Sequence, residues 1–419
     1  MLLLPHVHPP MLQPDYWLAR LPNADAPIFT PETRDAFNAR VRDAIGIPAV
    51  LDLPDALPAT EVQALIPTFS PQSAPYGTDG QPLPAEVWQA VEAACARDRV
   101  PDPAPVRFAL VVRRTAVRAL PTDFVALKKP GDLPFDRLQE TTLDPGWPVA
   151  VVHQSPDGHW AFGLTPGYWG WVHTRDLAFC SRDAARAFAT ADPALVVTGA
   201  WGDVAGQTTG DHLVAEMGTR LPLLDTRDGL HVAQIPRRDA AGHLHLVEGY
   251  IAASDPDWHI GWLPPTLRTV ITQAFRVLGE PYAWGGARLG RAGRDCSRLV
   301  QDAWAVTGVQ LPRNSGQQGR IGVPAATFAP DESHAERLRR LQSDVPPGAL
   351  LLLPGHVMLY LGTVAGIPYA IHDLWGYAHP EGHTTRAAQV VVSALPPEPS
   401  PQGHTLLERL THAIVVAPL

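Results

Sequence analysis

The chain has 419 residues, 45% hydrophobic and 18% charged, with a formal net charge of −9. That length suits about two to four domains. The acidic balance argues against nucleic acid as a partner, and no apolar run approaches the ~20 residues of a membrane span.

"MLLLPHVHPP" lacks a basic stretch, and Pro5 breaks its apolar run, so it does not read as a signal peptide. The expectation is a cytoplasmic protein, or an extracytoplasmic one if a leader has been removed. Residues 30–46, "TPETRDAFNARVRDAIG", predict a helix with Thr30 as cap and Gly46 as stop, and "PAEVWQAVEAACARD" predicts a second. "PDPAPV", at 101–106, reads as a linker. Three short apolar runs over 147–173 are divided by Asp157-Gly158 and Pro166-Gly167, both turn signals. A comparable pattern returns over 220–251, with Asp228-Gly229 in its first turn. Two such short-stranded units predict two small β-barrels.

Beyond "WLPPTL" the period changes. Leu267, Val270, Ile271, Ala274, Phe275 and Leu278 recur at helical spacing, and Gly279 closes the run. A glycine-rich loop leads to a second helix from Cys296 to about Thr307. The runs "GALLLLPG", "HVMLYLG" and "IPYAIHDLWG" then read as strands, which makes this an α+β domain.

The three cysteines, Cys95, Cys180 and Cys296, form no CxxC pair. That excludes a zinc ribbon and argues against a disulfide framework. Cys95 lies in an amphipathic helical pattern and reads as core, and Cys180 as a domain-end residue. His6/His8 and His243/His245 have HxH spacing but no supporting ligands, so no metal or other cofactor is expected.

Cys296 differs in starting a helix. Free N–H groups and the helix dipole favour a thiolate there, the form that attacks carbonyls. Such a nucleophile needs a base, and the base needs an orienting group. His356 opens one strand-like run and His372 lies in the next; pairing across the turn near Ala365-Gly366 lets His356 face the thiol while His372 orients it. Either histidine also reads as an ordinary strand residue, and Asp295 and Ser297 as helix caps.

The string "PYAWGG…DCS…LPRNS…GHVMLYLG…IH" resembles the catalytic core of the NlpC-type cell-wall peptidases, a papain-like cysteine family. The matching residues are Tyr282, Trp284, Gly285 and Gly286, then Asp295, Cys296 and Ser297, then Gly355, His356 and His372. Outside 265–390, "DYWLARLPNADAPIFTPETRDAFNARV" and "PFDRLQETTLDPGWPVAVVHQSPDGHWAF" resemble a subgroup with an N-terminal stabilising domain and two bacterial SH3-like barrels. The implied organisation is multidomain: 1–105 the stabilising domain, 106–180 and 181–263 two small SH3-like β-barrels, and 264–419 an α+β papain-like cysteine peptidase domain.

The resemblance implies hydrolysis of the γ-D-glutamyl–diamino acid bond of peptidoglycan stem peptides, L-Ala-γ-D-Glu-diamino acid, with a free N-terminal L-Ala. It implies Cys296 as nucleophile, His356 as base, His372 as its support and Tyr282 as an oxyanion donor. Asp295, Ser297 and Trp284 would bind substrate, and Tyr168 and Trp169 would wall the cleft. Two departures stand out. Arg298 follows Asp-Cys-Ser where the family has a small residue; it is expected to point outward and alter the substrate groove. The loop "ARLGRAGR" is long and basic. An amidase or acyltransferase on another amide, or an inert wall-binding protein, are the rival readings.

Overall fold

The computed structural model describes residues 2–68, 75–207, 211–286, 293–378, 383–395 and 405–418. The chain forms two compact units. One consists of residues 1–45, 262–282 and 293–419; the other of 46–261 and 283–292. Residues 1–105 are thus divided between the units after position 45.

In the N-terminal segment α1 (Pro14–Leu18) precedes α2 (Pro31–Ile45). The Thr30 hydroxyl accepts the Thr33 N–H at 3.3 Å and so caps α2. Gly46, with φ of +68°, ends it as the sequence indicates. Hydrogen bonds tie this segment to the C-terminal part of its unit. The Ile28 N–H donates to the Pro265 carbonyl at 2.8 Å, Asn38 Nδ2 to the Gly308 carbonyl at 2.9 Å, and the Tyr369 hydroxyl to the His6 carbonyl at 2.9 Å.

The second unit begins with β1 (Ala56–Leu57), α3 (Ala59–Leu65), α4 (Ala85–Ala94) and β2 (Ala104–Pro105). Seven strands follow: β3 (Arg107–Val111), β4 (Thr115–Arg118), β5 (Gln139–Leu143), β6 (Pro148–Gln154), β7 (Trp160–Thr165), β8 (Tyr168–His173) and β9 (Leu177–Cys180). After α5 (Arg182–Ala189) come seven more: β10 (Ala194–Val197), β11 (Trp201–Ala205), β12 (His212–Glu216), β13 (Arg220–Arg227), β14 (Leu230–Arg238), β15 (Leu244–Ala252) and β16 (Trp258–Ile260).

The first set pairs in the order β5-β4-β8-β7-β6-β3-β9 and the second as β12-β11-β15-β14-β13-β10-β16. Numbered from its own first strand, each sheet has the same antiparallel order, so the repeated pattern in the sequence is a repeated topology. Gly158, Gly167 and Gly229 occupy the positive-φ positions of the hairpin turns, which is why each turn carries glycine. Phe108, Leu110, Trp171, Leu195, Ile235 and Trp258 belong to one continuous core across this unit.

The C-terminal segment contains α6 (Leu267–Arg276), α7 (Cys296–Ala305), α8 (Ser315–Gln318), β17 (Val323–Thr327) and α9 (His334–Asp344). It continues with β18 (Leu350–Leu353), β19 (His356–Val364), β20 (Ile367–Ala378), β21 (Thr384–Ala394) and β22 (His412–Val415). The six strands form an antiparallel sheet ordered β17-β22-β18-β19-β20-β21. α7 packs on β19 and β20 and is buried nearly all round, Cys296 to Val300 and Asp302 to Trp304 being withdrawn from solvent. A helix buried in this way is the spine of its domain.

Candidate active site

Local backbone features set the candidate positions. Asp295 caps α7 through its carboxylate, which accepts the Arg298 N–H at 2.9 Å, so Cys296 is the first helical residue. Pro354 and Gly355 make the two-residue turn from β18 to β19, with Gly355 at φ +74° and Leu353 paired to His356. That turn fixes His356 as the first residue of its strand. β19 and β20 pair with Leu359 opposite Ile371. Continuing this register puts Met358 opposite His372, so His356, two residues earlier, shares its face as a diagonal neighbour.

The histidines meet accordingly. His356 Nε2 and His372 Nδ1 are 2.6 Å apart, and His372 Nε2 lies 2.8 Å from Ser393 Oγ. One protonation pattern satisfies this chain and leaves His356 Nδ1 bare: Nε2–H of His356 donates to His372, and Nε2–H of His372 donates to Ser393. The Val357 N–H, next to His356, donates to the Cys296 sulfur. Among the described residues no hydrogen bond joins the thiol to His356; such bonds commonly tighten only with substrate present.

The electrostatics differ from the expectation of a helix-stabilised thiolate. Burial, and then the adjacent Asp295 carboxylate, push the Cys296 thiol up to about 12, outweighing the Val357 N–H. Burial pulls His356 down to about 4, with Arg409 adding to the effect, and takes His372 well below its usual range. The resting pair is a neutral thiol and a neutral imidazole. Buried Cys95 is likewise pushed up to about 12 and half-buried Cys180 to about 11. Thiol acidity therefore does not single out Cys296; its place at the start of α7, bonded to the residue that follows His356, does.

Tyr282 is half-buried, its backbone N–H donating to Ala388 at 2.9 Å and its ring packed edge-on against Trp375. Burial, then Cys296 and Asp295, raise its pKa, so the phenol stays a neutral donor near the thiol. Asp295 and Ser297 are held by a residue to which the sequence reading assigned no role. Arg313 grips the Asp295 carboxylate with both terminal nitrogens, at 3.0 and 2.6 Å, and donates to Ser297 Oγ at 2.8 Å. Gln318 Nε2 ties the Ser297 and Pro312 carbonyls together, at 2.9 Å each, which keeps the Arg313 loop against α7.

Arg298 departs from the outward orientation expected of it. It is buried, with Nε 2.8 Å from Asp302 one helical turn on. The other Asp302 oxygen takes Arg294 Nε at 2.7 Å, and Arg294 also pairs with Glu280. An i,i+4 carboxylate in the buried helix turns the guanidinium inward. "ARLGRAGR" falls mostly at 287–292, outside the described residues.

The remaining aromatic candidates belong to the other unit. Trp284 packs against Phe135, with centroids 5.7 Å apart. A Cβ on Gly285 would come within 2.9 Å of the Gln139 carbonyl oxygen, so the Trp-Gly-Gly loop requires glycine there. Tyr168 and Trp169 open β8, both half-buried and stacked, and the Tyr168 hydroxyl donates to Glu140.

Asp373 was also missed. It follows His372, so strand alternation turns it to the opposite face. Both of its oxygens are buried without a hydrogen-bond partner. Burial, then Asp295 and Glu280, raise its pKa well above 3.8, while Arg294 opposes them. Folding thus tightens its hold on a proton. Its contribution to stability is complete below the ordinary value and is lost as pH rises towards the native one. Thermal unfolding of Asp373→Asn, followed from acid to neutral pH, is expected to gain steadily on wild type; parallel curves would contradict this.

Comparison with known proteins follows the same division of the chain. Residues 125–173 match the SH3 domain family of SH3b1 type, and residues 279–375 match the NlpC/P60 family. A γ-D-glutamyl-L-lysine dipeptidyl-peptidase of Bacillus cereus is 28% identical over 225 residues, 52% of this chain and 59% of that protein. The match thus spans less than two thirds of that relative. The solved structure of an NlpC/P60 endopeptidase from Photobacterium damselae subsp. piscicida superposes with a TM-score of 0.69 at 19% identity, covering 89% of this chain and 88% of that one. An NlpC/P60 family protein from Bacillus cereus gives 0.54 at 19% identity, over 74% of this chain and all of that one. The sequence and fold likenesses agree that this is a multidomain protein in which an SH3b-type domain precedes a domain of the NlpC/P60 cell-wall peptidase family.

Proposed function

We propose that this protein is a cysteine endopeptidase that hydrolyses the γ-D-glutamyl–diamino acid bond of released stem peptides carrying a free N-terminal L-Ala. The observation carrying the reading is the His356–His372–Ser393 chain, whose protonation pattern leaves His356 Nδ1 without a proton, on the residue next to the Val357 N–H that reaches the thiol. The bond assignment draws support from the name of the Bacillus cereus relative.

In this mechanism His356 Nδ1 takes the thiol proton as sulfur attacks the γ-glutamyl carbonyl, since neither group is charged at rest. The Cys296 N–H, free of an intrahelical acceptor at the first helical position, and the Tyr282 hydroxyl bind the oxyanion, each such donor contributing roughly 3–4 kcal/mol in comparable sites. Protonated His356 gives its proton to the departing diamino acid amine. Water, deprotonated by His356, then cleaves the thioester and releases L-Ala-D-Glu. Asp295 and Ser297, braced by Arg313, receive the amine end of the substrate.

Mass spectrometry of L-Ala-γ-D-Glu-diaminopimelate incubated with the protein tests this. Release of L-Ala-D-Glu is expected, and about a hundredfold less from the N-acetylated peptide, whose amine no longer presents a charge to Asp295. Inertness towards this tripeptide and its lysine counterpart would point to another amide.

A further inference from the structure

An open groove of about 1070 Å³ lies at the seam of the two seven-stranded sheets, away from the catalytic cysteine in sequence and within the other unit. One backbone and one side-chain hydrogen bond tie the seam. The Phe179 N–H donates to the Gly242 carbonyl at 2.9 Å, and Arg238 Nη1 donates to the Leu177 carbonyl at 2.7 Å. The groove is thus preformed rather than a gap between loose ends.

Its charge runs against that of the chain. Three guanidinium groups, of Arg107, Arg182 and Arg238, stand on the wall with one carboxylate, Asp55, among the described lining residues. Asp55 is spent on Arg182 at 2.5 Å. Arg238 is bound to backbone carbonyls of Leu177 and Gly242. Arg107 lies over the Phe179 ring, 4.6 Å from its centroid, where partial desolvation lowers its pKa with no carboxylate to offset it. Three cations facing one carboxylate make this a locally basic wall on a chain of net charge −9.

The other lining groups suit the same ligand. Ser181 and Arg182 bring the first turn of α5, the positive end of that helix, to the groove. His243 and His245 add ring nitrogens from the opposite sheet. Phe108, with Arg182 4.8 Å above its centroid, and Phe179 offer apolar contact beneath the charges.

We propose that this groove is a binding site for a small polyanion, a molecule with two or more carboxylate or phosphate groups on a compact body. Guanidinium forks pair with either group, so the shared chemistry is anionic oxygen. Its volume accommodates a ligand larger than a single ion. The site is independent of the peptidase reading and of Cys296.

Isothermal titration calorimetry of the full chain in physiological salt tests it, with sodium pyrophosphate and tricarballylate as separate probes. Saturable binding of at least one is expected. Pyrophosphate alone would assign phosphate ligands, and tricarballylate alone carboxylate ligands. Arg107→Glu, a change at an exposed side chain, should weaken binding about tenfold or more, and Asp55→Asn should strengthen it severalfold. A thermal unfolding midpoint unchanged from wild type in Arg107→Glu reports that the protein is folded. Absence of saturable binding for both probes, or affinities unmoved by both substitutions, would overturn the proposal.

Discussion

Replacing Cys296 by alanine is expected to slow stem-tripeptide hydrolysis by ~10⁴-fold or more, with the fold retained. The thiol is small and buried, it accepts the Val357 N–H, and alanine suits the first turn of α7. In the proposed mechanism what is lost is the attacking atom. Adding His356→Ala to the first substitution should cost little more, because a base without its nucleophile has nothing to activate.

The same pair sets the pH response. His356 is pulled down to about 4, so its neutral, proton-accepting form persists well into acid. The acid limb of kcat/KM should therefore fall near pH 4 rather than near the 6.5 of an exposed imidazole. Discontinuous mass spectrometric assays across this range measure both effects. Retention of more than about a hundredth of wild-type activity in Cys296→Ala would sink the assignment.

Arg313→Met should produce the largest loss of stability. The side chains of Arg313 and Asp295 are only 5% and 8% exposed. Removing the guanidinium from this buried pair takes the counter-charge it supplies away from the carboxylate, a loss of about 3–5 kcal/mol. Asp295 would respond by taking up a proton, so the deficit should shrink in acid. Adding Asp295→Asn should recover much of the loss, because the orphaned charge goes with it. Urea unfolding of the single and double variants measures this, and a loss below about 1 kcal/mol in Arg313→Met would show the pair to be solvent-screened.

These expectations bear on how the nucleophile is tuned. A helix start favours a thiolate by itself, yet here the capping group is a carboxylate and the site is dry. Burial and then Asp295 push the thiol up, and the Val357 N–H and Arg313 only moderate them. A neutral resting thiol is protected from oxidation, since thiolates are the reactive form, and the proton moves when substrate arrives.

What the sequence determined by itself is local. Turn residues such as Asp157-Gly158, Pro166-Gly167 and Asp228-Gly229 encode their hairpins because few residues tolerate those backbone angles. Helical periodicity marks α6 and α7, and the Asp-Cys-Ser, Trp-Gly-Gly and Gly-His-Val strings carry the family likeness.

What only tertiary structure decided concerns partners distant in the chain. Ser393 behind His372, Arg313 on Asp295 and the placement of residues 2–45 with the C-terminal sheet leave no periodic trace, because each depends on a contact across tens or hundreds of positions. The inward turn of Arg298 and the solitude of Asp373 have the same origin. Local sequence sets which way a side chain can point, but the surrounding packing decides whether it meets water, a counter-charge or nothing.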